Sequence, residues 1–189
     1  MNQLLRSKSG FTLVELLITL SIIALTLALS LPKFSIFDKY STERMARGVI
    51  QAVMFSRSSA IQTQKSVFIC PSTNMQSCDR NWSGKLAVYK DLNGDKLLDE
   101  DDEIIQQFDL SSEHSHLKWR SFQNKRYLEL LPTGMSNYQN GTFTVCPRNG
   151  DTHHAIPVIL NVAARPYFGK DKNNDGVREY SSGKPVSCT

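Results

Sequence analysis

From Phe11 to Leu31 the chain carries no charge except Glu15, and Pro32 closes the run. No other feature narrows so far what the chain can fold into. A helix built from these residues has no polar face to turn toward water, so it belongs in a bilayer or among other apolar helices. At the α-helical rise it extends about 30 Å, the thickness of a hydrocarbon core. Pro32 has no N–H to donate, so a helix that continues beyond it is expected to kink there. Ahead of the run stands a short leader with Arg6, Lys8 and no acid, ending in Gly10. That bias keeps the leader on the cytoplasmic side of a membrane. In a secretory signal the scissile site follows the apolar stretch. Here glycine precedes it, so cutting after Gly10 leaves the span on the mature chain. A carboxylate inside such a span costs about 2.5–3.5 kcal/mol, so Glu15 needs a purpose.

The segment Gly10-Phe11-Thr12-Leu13-Val14-Glu15-Leu16-Leu17 resembles the recognition sequence of prepilin peptidase. With it the chain resembles the type IV pilin and pseudopilin superfamily. The resemblance implies cleavage between Gly10 and Phe11 and methylation of the new Phe11 amine. It also implies a single-pass protein of the bacterial inner membrane, N-terminus cytoplasmic and C-terminal domain periplasmic. Glu15 then acquires an assembly role. The Phe11 amine of a neighbouring subunit can neutralise it in a packed helical core, and breaking such a pair costs about 3–5 kcal/mol, so the pair sets register.

The 189 residues give room for one anchor helix and one soluble domain large enough for a core. A net charge of +4 permits an anionic partner without demanding one. All four cysteines, Cys70, Cys78, Cys146 and Cys188, follow the apolar run and so fall in an oxidising compartment. Three pairings exist. The favoured one joins Cys70 to Cys78 in a short loop and Cys146 to Cys188, tying the C-terminus to a strand. Zinc is disfavoured, because no C-x-x-C pair occurs and His153-His154 follow no finger pattern. The histidines read as surface residues.

Beyond Pro32, Phe34, Phe37, Tyr40, Met45, Val49, Ala52, Val53, Phe55 and Ile61 recur at helical spacing, which predicts an amphipathic helix to about Gln64. Ala46–Ile61 resembles the helix laid across the sheet in the FimT/GspH branch of minor pilins. Strands are expected at Ser66–Cys70, Lys85–Tyr89, Glu103–Phe108, Leu117–Phe122, Tyr127–Leu131, Thr142–Cys146 and Pro157–Val162. One long helix followed by short strands gives an α+β fold, the helix on a mainly antiparallel sheet. The branch resemblance implies the same pilin architecture. The expected organisation is leader 1–10, transmembrane helix 11–32, amphipathic periplasmic helix 33–64 and β-rich domain 65–189.

Two acidic loops repeat oxygen-bearing side chains at alternate positions: Asp91, Asn93, Asp95 with Asp99, and Asp171, Asn173, Asp175 with Glu179. That spacing suits a hard cation such as Ca²⁺, and it equally suits solvated turns. Apart from this calcium alternative no cofactor is expected. A basic surface is the other candidate. Lys118, Arg120, Lys125 and Arg126 cluster near Trp119, Phe122 and Tyr127, while Arg165, Tyr167, Lys170 and Lys172 lie nearer the C-terminus. Cations supply phosphate contacts and aromatic faces stack on bases. In DNA-uptake members of the FimT branch a Gly-Arg-x-Arg motif marks DNA binding. The matching stretch is Ala164-Arg165-Pro166-Tyr167, which keeps only the first arginine. No nucleophile elbow, phosphate loop or H-E-x-x-H motif occurs, so an enzyme is not expected.

The resemblance implies a minor pilin or pseudopilin acting structurally in a type IV pilus. Its expected partners are other minor pilins or pseudopilins, the major pilin, prepilin peptidase and the inner membrane. A component of type II secretion and a DNA receptor in natural transformation are the alternatives.

Overall fold

The computed structural model describes residues 10–30, 34–123 and 125–188, with backbone alone at 28–30 and 34–36. The leader cations Arg6 and Lys8 and the expected kink at Pro32 lie outside the described residues. The chain divides into two units, Met1–Phe34 and Ser35–Thr189.

The first unit is helix α1, Leu13–Ser30. Thr12 starts it: its Oγ1 accepts the Glu15 N–H at 3.2 Å, satisfying a donor that the first turn leaves without a partner. Its large apolar side chains from Leu13 to Leu27 are 51–76 % exposed, with no polar face between them. Among the described residues no helix is long and apolar enough to cross a membrane. The 18 residues of α1 extend about 27 Å, and the expected span to Pro32 reaches beyond the described set.

The second unit opens with helix α2, Phe34–Thr63. Its buried stripe runs through Asp38, Ser41, Thr42, Met45, Ala46, Val49, Ala52, Val53, Ser56 and Ala60. This corrects the sequence reading: Phe37, Tyr40, Phe55 and Ile61 are 37–73 % exposed and lie off that stripe. The hydroxyls belong inside because each is satisfied, that of Ser41 by the Ser112 and Ser115 hydroxyls and the other two within the helix. Thr42 Oγ1 donates to the Lys39 carbonyl and Ser56 Oγ to that of Ala52.

Eight strands follow: β1 Val67–Pro71, β2 Lys85–Lys90, β3 Glu103–Asp109, β4 Ser115–Ser121, β5 Leu128–Leu130, β6 Gly141–Pro147, β7 Ile156–Leu160 and β8 Pro166–Phe168. They form two sheets rather than the single one expected, in orders β3-β2-β1-β5 and β4-β6-β7-β8. Every pairing between these strands is antiparallel. The α2 stripe packs with both sheets in one core that includes Ile69, Leu86, Leu128, Trp119, Phe143 and Val158. Arg57 fastens the helix to the sheets' connecting loops, its Nε donating to Gly134 O at 3.0 Å and Ala163 O at 3.3 Å.

The outer face of each sheet has its own cover. On the first, Phe68, Cys70, Ala87, Tyr89 and Leu98 make a small core, and the Cys70–Cys78 disulfide ties the covering loop to β1. On the second, Cys146, Ala155 and Val186 do the same, and Cys146–Cys188 ties the C-terminal segment to β6. These are the pairs favoured from the sequence, and no free cysteine remains.

Candidate functional site

At the N-terminal end, Gly10, Phe11 and Glu15 are all exposed, with Phe11 75 % exposed. Gly10 has no heavy atom near the position a Cβ would take. Glu15 stands in the first turn of α1, where the helix dipole favours an anion.

In the loop between β2 and β3 the carboxylates cap their own backbone. Asp91 accepts from the Gly94 and Lys96 N–H groups, Asn93 from Asp95, Asp95 from Leu97, and Asp99 from Asp101. Asp102 accepts from Leu92 and Asp99, while burial pushes its pKa above the usual carboxylate range. Burial, reinforced by Asp102 and Asp91, likewise drives up the pKa of the enclosed Tyr89 phenol. The loop after β8 repeats the pattern. Asp171 Oδ2 accepts from Gly176 N–H, Asp175 from Val177, and the buried Glu179 from Lys172. The Val177 N–H, aided by the Asn173 side chain, holds Asp175 below the usual carboxylate range. Asp171 Oδ1 is buried without a hydrogen-bond partner. Among the described residues no group of three or more His, Cys, Asp and Glu side chains is gathered as a metal site.

The C-terminal cations do not converge on a cavity. Arg165, Lys170 and Lys172 are exposed along β8 and the following loop, Tyr167 is 47 % exposed, and none of them lines either of the two main clefts. The other basic cluster does converge. A groove of about 1160 Å³ runs beside β4, and its wall contains Lys118, Arg120, Lys125, Arg126 and Arg80 but no Asp or Glu. Arg80 was not legible as a member, because the fold alone brings it beside β4. Lys118 Nζ donates to Cys188 O at 3.3 Å, and Lys125 lies over the Tyr127 ring. The groove's aromatic floor is interlocked: Trp119 stacks on Phe143 with centroids 4.0 Å apart, and Trp82 meets Phe143 edge-on at 5.3 Å.

A second cleft, of about 660 Å³, lies between the start of α2 and residues 111–114, with Phe37, Tyr40 and His114 in its wall. Phe37 stacks against His114 at 6.2 Å, and Arg44 reaches Ser111 O. These aromatics read as core residues in the sequence because helical spacing alone does not say which stripe turns inward.

Residues 45–163 match the family described as type II transport protein GspH, and residues 5–31 match the prokaryotic N-terminal methylation motif. No curated protein matches the chain. Two crystal forms of the type IV minor pilin FimU of Pseudomonas aeruginosa share the fold. Each is 18 % identical and covers 79 % of this chain, with 93 % and 98 % of FimU covered and TM-scores of 0.53 and 0.52. The minor pseudopilin EpsH from the Vibrio cholerae type 2 secretion system is 15 % identical, covers 68 % of this chain and 95 % of its own, and has a TM-score of 0.48.

Proposed function

The chain belongs to the GspH family, and from that premise we propose that it is processed between Gly10 and Phe11 and enters a type IV pilus by packing of its N-terminal helix. It is a minor pilin or pseudopilin, a structural component that assembles with other pilins or pseudopilins. The observation that carries the finer reading is the order of two signatures along one chain: a methylation motif over 5–31, then the family domain over 45–163. Cleavage after Gly10 by prepilin peptidase leaves the apolar helix at the very N-terminus. The helix is a poor candidate for water, since its apolar side chains are exposed all round. Residues 11–32 anchor the protein in the inner membrane, leader side cytoplasmic and the second unit periplasmic. In the assembled filament Glu15 accepts the methylated Phe11 amine of a neighbour, a pairing that only one stagger of the helices satisfies. Intact-mass analysis of the mature protein tests the processing step. A chain beginning at N-methylated Phe11 is expected, and any other start contradicts it.

The family's description as type II transport favours a second reading, a pseudopilin of the type II secretion system. Deletion of the gene separates the two: lost piliation with normal export supports the pilus, and exoproteins trapped in the periplasm support secretion.

A further inference from the structure

Strand β4 is an open edge of the second sheet. Its even-numbered residues turn their main chain toward β6, a register fixed beyond both ends of the strand: Arg148 N–H donates to His114 O, and Phe122 N–H to Asn140 O. Its odd-numbered residues therefore turn their main chain outward, toward the basic groove. At Leu117 that edge is already closed, since Ser83 Oγ bonds both its N–H (2.6 Å) and its C=O (3.0 Å). Two residues on, at Trp119, the closure stops. Trp119 N–H and C=O face the groove, and neither has a partner outside the sheet among the described residues. The Trp119 indole N–H has no partner either, although the residue as a whole is only 8 % exposed. A buried donor left unpaired is destabilising, so an acceptor brought within its reach is favoured.

We propose that this groove receives an extended acidic polypeptide segment, which adds to the β4 edge at Trp119 and sets its carboxylates against Arg80, Arg120, Lys125 and Arg126. Three observations select that occupant. An open strand edge presents a main-chain donor and acceptor at the spacing of another extended chain, which is how strand addition binds peptides. The groove wall holds five cations and no acid, so the complementary side chains are carboxylates. Two of the aromatic faces that a nucleic acid would need for stacking are occupied. Trp119 lies on Phe143 and Trp82 is 4 % exposed, which leaves Phe122 as the one largely exposed ring of the wall. Phe122, 82 % exposed at the groove's wall, offers an apolar contact for the segment's other face. The proposal does not depend on which filament the protein joins.

The test uses the full chain in detergent and fluorescence anisotropy with a labelled peptide of alternating glutamate and threonine. Its controls are the same peptide with glutamine for glutamate, the acidic peptide with alternate amides N-methylated, and an oligodeoxythymidine. The acidic peptide is expected to bind at least about ten-fold tighter than the glutamine peptide, and the N-methylated peptide to bind at least about ten-fold more weakly than its parent. The exposed pair Arg120→Glu and Arg126→Glu should abolish the preference for acid without changing the melting temperature. Trp119→Phe, which keeps the ring and removes the N–H, should weaken binding several-fold. Equal affinity for the glutamine peptide, undiminished binding by the N-methylated peptide or by the arginine variant, or capture of the oligonucleotide alone overturns the proposal.

Discussion

The two disulfides offer a controlled experiment, because they match in burial and differ in reach. Each joins a wholly buried strand cysteine, Cys70 or Cys146, to a half-buried partner, Cys78 or Cys188. Replacing either pair by alanine therefore removes similar packing. The loops they close differ: Cys70–Cys78 spans 8 residues and Cys146–Cys188 spans 42. The chain-entropy relation gives about 2.5 kcal/mol for the first and about 4 kcal/mol for the second at 25 °C. The difference, about 1.5 kcal/mol, isolates the constraint placed on the unfolded chain. For a domain of this size each kcal/mol shifts the midpoint by roughly 2–4 °C, so the short bridge is worth about 5–10 °C and the long one about 8–16 °C. After the long bridge is cut, Val186 still packs with Ala155 and Arg178 still donates to the Gly169 carbonyl, so the C-terminal segment should stay on the sheet. Thermal unfolding followed by circular dichroism, on the oxidised full chain in detergent, compares Cys70→Ala/Cys78→Ala with Cys146→Ala/Cys188→Ala. If the short-loop variant melts as low as the long-loop variant or lower, the entropic argument is wrong.

Glu15→Ala should insert into membranes normally yet recover less pilin on co-purification, and undiminished recovery refutes the pairing with Phe11. Burial, with the charges of Lys118 and Arg148, holds His116 below its ordinary value of 6.5. The unfolded chain therefore takes up the proton first, and stability falls as pH drops through that value. His116→Gln should flatten the fall between about pH 7.5 and pH 5.5 in urea unfolding, and an unchanged slope counts against it. An added Cβ at Gly169 would run into the Glu179 carbonyl and the Pro157 ring, whereas Gly84 has nothing nearby. Gly169→Ala should cost about 1–3 kcal/mol by denaturant titration and Gly84→Ala close to none; similar costs at both would show that this contact is absent.

Local elements were legible where local physics decides them. The alternation in β4 and the β-branched and aromatic runs of β1, β2 and β6 mark strands without reference to the rest of the chain. Strand β8 was not seen, because three residues beginning with Pro166 carry no period. The inward stripe of α2 was misread at Phe37, Tyr40, Phe55 and Ile61, since hydroxyls that bond their own helix, Thr42 and Ser56, bury as readily as alanine. The division into two sheets is a long-range matter. Strand β5 returns to pair with β1 while β4 leaves to pair with β6, and nothing within either strand says so. The basic groove was half visible for the same reason. Lys118 to Arg126 are neighbours along the chain, but Arg80 and the open edge at Trp119 exist only once the sheets are laid down.

Each covalent bridge closes within one sheet and its own cover, and neither crosses to the other sheet. Apart from the connecting chain, the seam is fastened by side-chain packing and by a handful of clasps such as Arg57, which holds Gly134 and Ala163 together. Reduction of one bridge therefore frees only the cover of its own sheet and leaves the other cover tied.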